Sequence, residues 1–347
     1  MFRWAEDKDK QAVMDLWAKD FESYEPYYSW YFSKVYRPEF TLCDFAGSRL
    51  AAMLQISPYT LQLRNMALSV VYLAGVITAP EFRGKGRGHA LLTEAQRFLE
   101  RQGYAAALLY TDIPDFYASL GYSHCYTRQQ LELPSGEFSR LAAATDSKTI
   151  WRKGSLASDI PALAAIYYSM NTRYDGYIRR NRENWEKYLG EHDCDNARLM
   201  LAEERAYLLY APEEEKLRII ELGFADTPAL TEALAKAARL SMIAGATGLS
   251  WPAPLDTPRL LPQLPPDYWQ AQPFVMARLI SVQAVLDALS CPQAVRQILA
   301  RLDTATVTRL VFGTEDTAEK YADLTANERR LLTELFQTQP LWINEYT

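Results

Sequence analysis

Three glycines at alternate positions, Gly84, Gly86 and Gly88, separate an apolar segment from an amphipathic one, and they constrain the fold of the first part of the chain most strongly. The apolar run 70–77 is rich in β-branched and aromatic residues and stops before Pro80, which is typical of a buried strand. After Gly88, apolar residues recur at helical spacing. The sequence therefore predicts a strand, a glycine-rich loop and a helix in succession.

This loop has the properties of a phosphate-binding site. Glycines let the backbone approach a ligand, and the first N–H groups of a helix have no intrahelical partner. Arg83, Lys85 and Arg87 add positive charge to the helix dipole, so a pyrophosphate suits the loop. A basic glycine turn on the surface is the alternative for these residues taken alone. The Walker and dinucleotide-binding patterns do not fit, because the three glycines are evenly spaced.

A second motif, Phe-Tyr-Ala-Ser-Leu-Gly-Tyr, follows at residues 116–122, after a predicted strand at 105–110. Together with Arg-x-x-Gly-x-Gly at 83–88, it resembles the GNAT superfamily of N-acetyltransferases over residues 1 to about 133. The resemblance implies acetyl-CoA as cosubstrate and direct attack of a primary amine on the thioester. It also implies that Tyr117 protonates the departing thiolate, whereas a core aromatic residue is the alternative for Tyr117.

The resemblance further implies how the ligands are held. The strand 76–78 is expected to hold the pantetheine and polarise the thioester carbonyl, and the loop is expected to hold the pyrophosphate. In such folds the first helical region lies across the acetyl-binding groove, so Asp20 and Glu22 are candidates for attracting the amine. A helix pair that merely covers the sheet explains those two residues equally well. The expected cofactor-binding residues are Val76, Ile77, Thr78, Arg83, Gly84, Lys85, Gly86, Arg87 and Gly88.

An internal duplication is also indicated, because the chain is long enough for two or three domains. Residues 9–17 align with residues 159–167, and each segment follows an arginine, Arg3 or Arg152. At 224–229 the second copy has Phe-Ala-Asp-Thr-Pro-Ala in place of the glycine loop, so it is expected not to bind pyrophosphate. We predict a catalytic GNAT domain at 1–145, a degenerate GNAT-like domain at 146–272 and a small domain at 273–347.

Seven prolines within residues 252–273 mark the last boundary. Beyond it the patterns predict a strand at 307–312 and helices at 282–289, 294–302 and 329–336, the last with a capping box. Two GNAT copies and a small third domain resemble the Eis-type acetyltransferases, whose third domain is akin to sterol carrier protein. That resemblance implies that the terminal carboxylate of Thr347 reaches the active site as a base or amine anchor. The predicted fold class is α/β (α+β), with mixed central sheets.

Composition narrows the function further. The net charge of −6, from 37 basic and 43 acidic residues, argues against nucleic-acid binding. The four cysteines and three histidines are dispersed, so no metal is expected. A charged amino terminus without a long apolar run predicts a cytoplasmic protein and no membrane segment. The acceptor stays open among an aminoglycoside, a polyamine, an arylamine and a protein lysine. A homo-oligomer is compatible with the sequence, and a non-catalytic acyl-CoA-binding or assembly module is the alternative function.

Overall fold

The computed structural model describes residues 1–21, 23–145, 149–314, 324–337 and 340–345. The strands are β1 (Phe2–Trp4), β2 (Thr41–Ala46), β3 (Arg49–Leu63), β4 (Met66–Thr78), β5 (Ala106–Leu109), β6 (Ser123–Pro134), β7 (Arg152–Lys153), β8 (Gly176–Arg179), β9 (Arg198–Ala202), β10 (Ala206–Pro212), β11 (Lys216–Phe224), β12 (Gly248–Ala253), β13 (Trp269–Leu279) and β14 (Leu341–Trp342). The α-helices are α1 (Lys10–Asp20), α2 (Tyr27–Trp30), α3 (Arg87–Arg101), α4 (Pro114–Ala118), α5 (Phe138–Ala143), α6 (Ile160–Asn171), α7 (Arg182–Asp193), α8 (Thr227–Ala244), α9 (Thr257–Leu260), α10 (Val282–Ala288), α11 (Gln293–Leu299), α12 (Thr304–Phe312) and α13 (Ala326–Leu335).

The chain groups into two compact units, and the predicted mixed α/β class is confirmed. The first unit comprises residues 1–126, the described residues among 274–337, and Glu345. The second comprises residues 127–273 and 340–344. The predicted third segment is therefore shared between the units. The two units are defined by contacts in space and do not test the predicted division of the sequence into three domains, which stays a prediction.

In the first unit the strands follow the order β1-β2-β3-β4-β5-β13. β4 and β5 are parallel, and the other neighbouring strands are antiparallel. One face of this sheet packs against α3 through Leu91, Leu92, Ala95 and Leu99. The opposite face packs against α1 and the helical segment 27–35. The predicted succession of strand, glycine loop and helix is thus confirmed as β4, a loop and α3.

A β-bulge interrupts β4 beside α1. Met53 pairs with Ile77 and Gln55 pairs with Ala74, so two residues of β4 oppose one residue of β3. One of these two is Gly75, whose φ is +56°. A Cβ on Gly75 would lie 2.7 Å from Cζ3 of Trp17, so both the backbone conformation and the available space require glycine.

The bulge predicts a measurable difference between two glycine variants. Gly75→Ala should lower the free energy of unfolding by about 2 to 3 kcal/mol, because it combines left-handed strain with a clash against a buried ring. Gly47→Ala is the matched control, since Gly47 has a φ of +66° and no atom within 4 Å of the added Cβ. The control should lose only about 1 kcal/mol. Urea unfolding measures both, and equal losses would contradict the role given to Trp17.

The end of the first unit is helical where a strand was predicted. The prediction of a strand at 307–312 is wrong, because these residues lie in α12. The Asp303 side chain accepts a hydrogen bond from the Thr306 N–H at 2.9 Å and caps the helix, which overrides the β-branched residues at 307, 308 and 311. The predicted capping box of Thr325 and Glu328 is confirmed at the start of α13. No helix in the described part of the chain is long and apolar enough to cross a membrane.

In the second unit the strands follow the order β6-β12-β11-β10-β9-β7, and β14 pairs with β8. β11 and β12 are parallel, whereas β10 and β11 are antiparallel with a register shift between Leu209 and Tyr210. The core contains a buried ion pair in which both oxygens of Glu221 accept hydrogen bonds from Arg180 at 2.8 Å. Tyr207 also donates to this carboxylate, at 2.6 Å. These hydrogen bonds offset the free-energy cost of removing the two charged side chains from water.

His192 lies in the same core and makes the second unit sensitive to acid. Its ring, 4% exposed, meets Tyr188 edge-on with centroids 4.7 Å apart. Burial, helped by the nearby charge of Arg218, lowers the pKa of His192 to about 3. The unfolded chain binds this proton near pH 6.5 and the folded chain only near 3. Stability from the neutral ring is therefore complete above pH 6.5 and is lost as the pH falls toward 3.

Replacing His192 by Phe tests this acid sensitivity. The variant keeps an aromatic edge against Tyr188 and removes the titrating group. We expect wild-type stability to lose about 1.4 kcal/mol more per pH unit than the variant between pH 6 and 4. The urea midpoint measured across that range gives the difference. Parallel pH profiles of the two proteins would contradict the assignment.

Candidate active site

The glycine loop leaves the start of α3 open. Gly84 and Gly86 both have a φ of +71°. Gly86 is the N-cap residue of α3, and because glycine has no side chain, it cannot cap the helix with a side-chain hydrogen bond. Ala90 donates to the Gly86 carbonyl at 3.0 Å, so the N–H groups of residues 87–89 precede the intrahelical ladder. Free N–H groups at the positive end of a helix dipole bind anions.

Gly88 has a different role from the other two glycines. It is the second residue of α3, and a Cβ there would lie 3.3 Å from the Thr78 Oγ1 and 3.4 Å from the Phe116 Cζ. The small residue therefore lets the start of α3 approach the end of β4 and the helix α4. The even spacing of the three glycines predicts one shared role, whereas two serve the backbone conformation and one serves packing.

Two arginines of the loop are held by carboxylates. Arg83 donates through Nε to the Thr78 carbonyl at 3.0 Å and forms an ion pair with Asp20. Arg87 forms an ion pair with Asp44. The Asp20 carboxylate, expected to attract an amine, thus contacts the glycine loop. The side chains of Arg83 and Asp20 are 52% and 27% exposed, and such pairs contribute about 0 to 1 kcal/mol, so a pyrophosphate can replace Asp20.

Of the remaining predicted site residues, the structure describes one and leaves two outside the described ranges. Lys85 lies in the loop and donates to the Glu81 carbonyl at 3.0 Å. Glu22 and Thr347 lie outside the described residues. Within the described ranges, no three His, Cys, Asp or Glu side chains gather as metal ligands would.

β4 has a free edge next to the loop. β5 pairs with β4 only through Val70–Tyr72 and Ala106–Leu108. From residue 73 to residue 78, the described strands offer β4 no partner on that side. Val76, Ile77 and Thr78 all belong to this stretch. The Thr78 carbonyl accepts a hydrogen bond from Arg83, and the other backbone groups that face away from β3 can bind an extended ligand with amide groups, in the way a strand edge binds a peptide.

Tyr117 lies in the core formed by α3 and the sheet. Its side chain is 6% exposed, and its ring meets Phe116 edge-on at 5.0 Å and Tyr122 at 5.9 Å. Its hydroxyl has no hydrogen-bond partner among the residues described here. Burial raises the pKa of Tyr117 to about 12, so the hydroxyl is protonated at neutral pH and is a weaker acid than an exposed tyrosine.

Sequence reasoning missed a cluster at the bulge. It consists of Gly75, the stacked rings of Trp17 and Tyr31 with centroids 4.8 Å apart, and Gln55. The Tyr31 hydroxyl donates to the Gln55 Oε1. The available signals were a glycine inside a strand and a glutamine inside the apolar run 50–56. Neither signal identifies a contact partner from sequence alone.

Residues 1–125 match the family model of an acetyltransferase (GNAT) domain. The matched residues contain both the glycine loop and Tyr117. No curated protein matches the sequence significantly.

Solved structures are similar over the whole length of the chain. A GCN5-related N-acetyltransferase from Anabaena variabilis is 16% identical, with all of both chains covered and a TM-score of 0.83. Eis1 from Mycobacterium abscessus is 14% identical, again with full coverage, and has a TM-score of 0.76. N-myristoyltransferase from Saccharomyces cerevisiae, solved with myristoyl-CoA, is 12% identical over 80% of this chain and 82% of its own, with a TM-score of 0.52. At these identities the likeness concerns the fold.

Proposed function

We propose that this protein transfers an acetyl group from acetyl-CoA to a primary amine. The observation that carries the proposal is the packing of an open helix N-terminus against the helix of a buried, protonated tyrosine. Gly88 approaches Phe116, and the next residue is Tyr117. A phosphate site alone would serve a non-catalytic acyl-CoA-binding module equally well. A proton donor in the core that α3 shares favours group transfer, and the GNAT match supports the same reaction class.

Each part of acetyl-CoA has a place on α3 or β4 in this proposal. The pyrophosphate accepts hydrogen bonds from the first N–H groups of α3 and replaces Asp20 as the partner of Arg83. The pantetheine amides pair with the free edge of β4 at residues 73–78. The thioester then lies near the bulge, where a backbone N–H can polarise its carbonyl.

The reaction balances with one acid and one base. A neutral amine attacks the thioester carbonyl, the C–N bond forms, and the C–S bond breaks. The thiolate takes a proton from Tyr117, which regains one after the product leaves. The attacking amine has a reference pKa of about 10.4, so it must lose a proton first. The terminal carboxylate of Thr347 is the proposed base, on the Eis-type resemblance alone.

The internal duplication belongs to the same proposal, and matching contacts support it. In the first unit Arg3 forms two hydrogen bonds with Asp9, at 2.6 and 2.9 Å. In the second unit Arg152 forms two with Asp159, at 2.9 and 2.7 Å. The order of strands is also equivalent, because each sheet has one internal parallel pair, β4 with β5 or β11 with β12. The similarity of residues 273–347 to sterol carrier protein is part of the same proposal.

The second copy has lost the phosphate site. The helix α8 corresponds to α3, but the Asp226 carboxylate caps it and accepts a hydrogen bond from the Ala229 N–H at 2.7 Å. A negative side chain there repels a phosphate and occupies a free N–H group.

We therefore expect one acetyl-CoA to bind per chain. Isothermal titration calorimetry measures the number of sites directly, and transfer is tested in parallel by thiol release with aminoglycosides, polyamines, arylamines and lysine peptides. Binding to one site, with release that depends on an amine, supports the proposal. Two sites per chain would contradict the loss in the second copy.

A further inference from the structure

A buried amide in the first unit has one end without a partner. Gln55 lies on β3 and is 4% exposed. Its Oε1 accepts a hydrogen bond from Tyr31, whereas its Nε2 bonds to no group in the described part of the chain. Burying an N–H donor without an acceptor destabilises the folded protein. Such a cost is offset when a ligand supplies the missing acceptor.

The position of this amide points to a ligand at the bulge. Gln55 pairs with Ala74, the residue before Gly75. The Gln55 Cδ lies 3.7 Å from the place of a Cβ on Gly75, beside the edge of the Trp17 ring, so the carboxamide is a neighbour of the bulge backbone. Because the thioester is expected at this bulge, a group bound by Gln55 lies close to the reacting atoms.

The face of the sheet on which Gln55 lies indicates whether it contacts the coenzyme or the acceptor amine. Side chains alternate along β3, and Leu54 and Ile56 belong to the core under α3. Gln55 therefore lies on the opposite face, with Trp17 and Tyr31. The proposed coenzyme site uses the start of α3 and the edge of β4. The carboxamide is thus on the side left for the amine.

We infer that Gln55 binds the acceptor by donating a hydrogen bond from Nε2 to a hydroxyl or carbonyl oxygen close to the reacting amine. This inference rests on the proposed function and narrows it, because it favours amines with such an oxygen over plain alkyl amines. Tyr31 is a positioning residue, since its hydroxyl fixes the orientation of the carboxamide.

A comparison of matched amines tests this assignment. The probes are 2-aminoethanol, with a hydroxyl, glycinamide, with a carbonyl, and propylamine, with neither. For each probe, kcat/KM with acetyl-CoA is measured in wild type and in Gln55→Met, which keeps the length of the side chain and removes its N–H. The preference for at least one oxygen-bearing probe over propylamine should fall about tenfold in the variant. Each preference is a ratio of two kcat/KM values, and the intrinsic reactivity of the amines cancels when the ratios of wild type and variant are compared.

Tyr31→Phe serves as a second variant, and it remains informative if Gln55→Met does not fold. It keeps the Gln55 donor but frees its orientation, so the preference should fall by a smaller factor, about threefold. Unchanged preference in the folded variants, with kcat/KM lowered equally for all three amines, would overturn the inference. That outcome would show that Gln55 serves the thioester or the packing.

A binding measurement separates this inference from the proposed function. Calorimetry measures the affinity of the same amines for the complex of the protein with CoA. If thiol release fails but the wild type still prefers an oxygen-bearing amine and Gln55→Met does not, the transfer reaction is wrong and the Gln55 site stands. If transfer proceeds with the same preference in both proteins, the function stands and the Gln55 site is wrong.

Discussion

Replacing Tyr117 by Phe is expected to lower kcat about 100-fold while the affinity for acetyl-CoA changes little. Phe keeps the ring contacts with Phe116 and Tyr122 and removes only the proton donor. Fold stability should be nearly unchanged, because the hydroxyl forms no hydrogen bond with the described residues. Steady-state kinetics and calorimetry together separate loss of chemistry from loss of binding.

The matched control is Tyr122→Phe. The Tyr122 hydroxyl is buried in the same core, close to the Gln96 side chain, and no role in the reaction is proposed for it. Its removal should leave kcat within about twofold. The pH profile gives a further check, since the raised pKa of about 12 keeps Tyr117 protonated and predicts no loss of activity from its ionisation below about pH 10. A Tyr117→Phe enzyme with full turnover would remove Tyr117 from the mechanism.

Gly86→Val should weaken acetyl-CoA binding by about 100-fold. Gly86 has a φ of +71°, and a β-branched residue adopts this conformation only under strain, so the loop and the first N–H groups of α3 must move. Because glycines let the backbone approach a ligand, the sequence alone predicts that an added side chain blocks that approach. The structure gives the stronger reason in the backbone angle, because nothing lies within 4 Å of the added Cβ.

Gly103→Val is the control for Gly86→Val. Gly103 follows the same helix at its other end, with a φ of +77° and equally open surroundings. Both variants should lose similar stability, but only Gly86→Val should lose acetyl-CoA affinity in calorimetry. Equal affinities for the two variants would show that the glycine loop does not bind the coenzyme.

The elements around the loop were predictable because their signals are local. The apolar run before Pro80, the glycine spacing and the helical periodicity after Gly88 place β4, the loop and α3 in order. The capping box of Thr325 and Glu328 is equally local and correctly predicts the start of α13. At 307–312 the β-branched residues predicted a strand, but the cap at Asp303 lies outside that window and determines a helix.

The contacts that complete the site could not be predicted, because they join distant residues. Asp20 binds Arg83 across 63 positions of the chain, and Tyr31 binds Gln55 across 24. A bulge adds a further difficulty, since one extra residue changes the pairing of β3 with β4 and brings Gly75 against Trp17. Hydrophobic periodicity reports which face of an element is buried, but it does not report which elements meet there.

Thiol release from acetyl-CoA tests most directly whether the amino-terminal unit transfers an acetyl group to an amine. Release should require both the protein and an amine, mass spectrometry should find one acetyl group on that amine, and Tyr117→Phe should slow the reaction about 100-fold. A protein that binds acetyl-CoA at the glycine loop but releases no thiol with any class of amine would contradict the claim and leave an acyl-CoA-binding module.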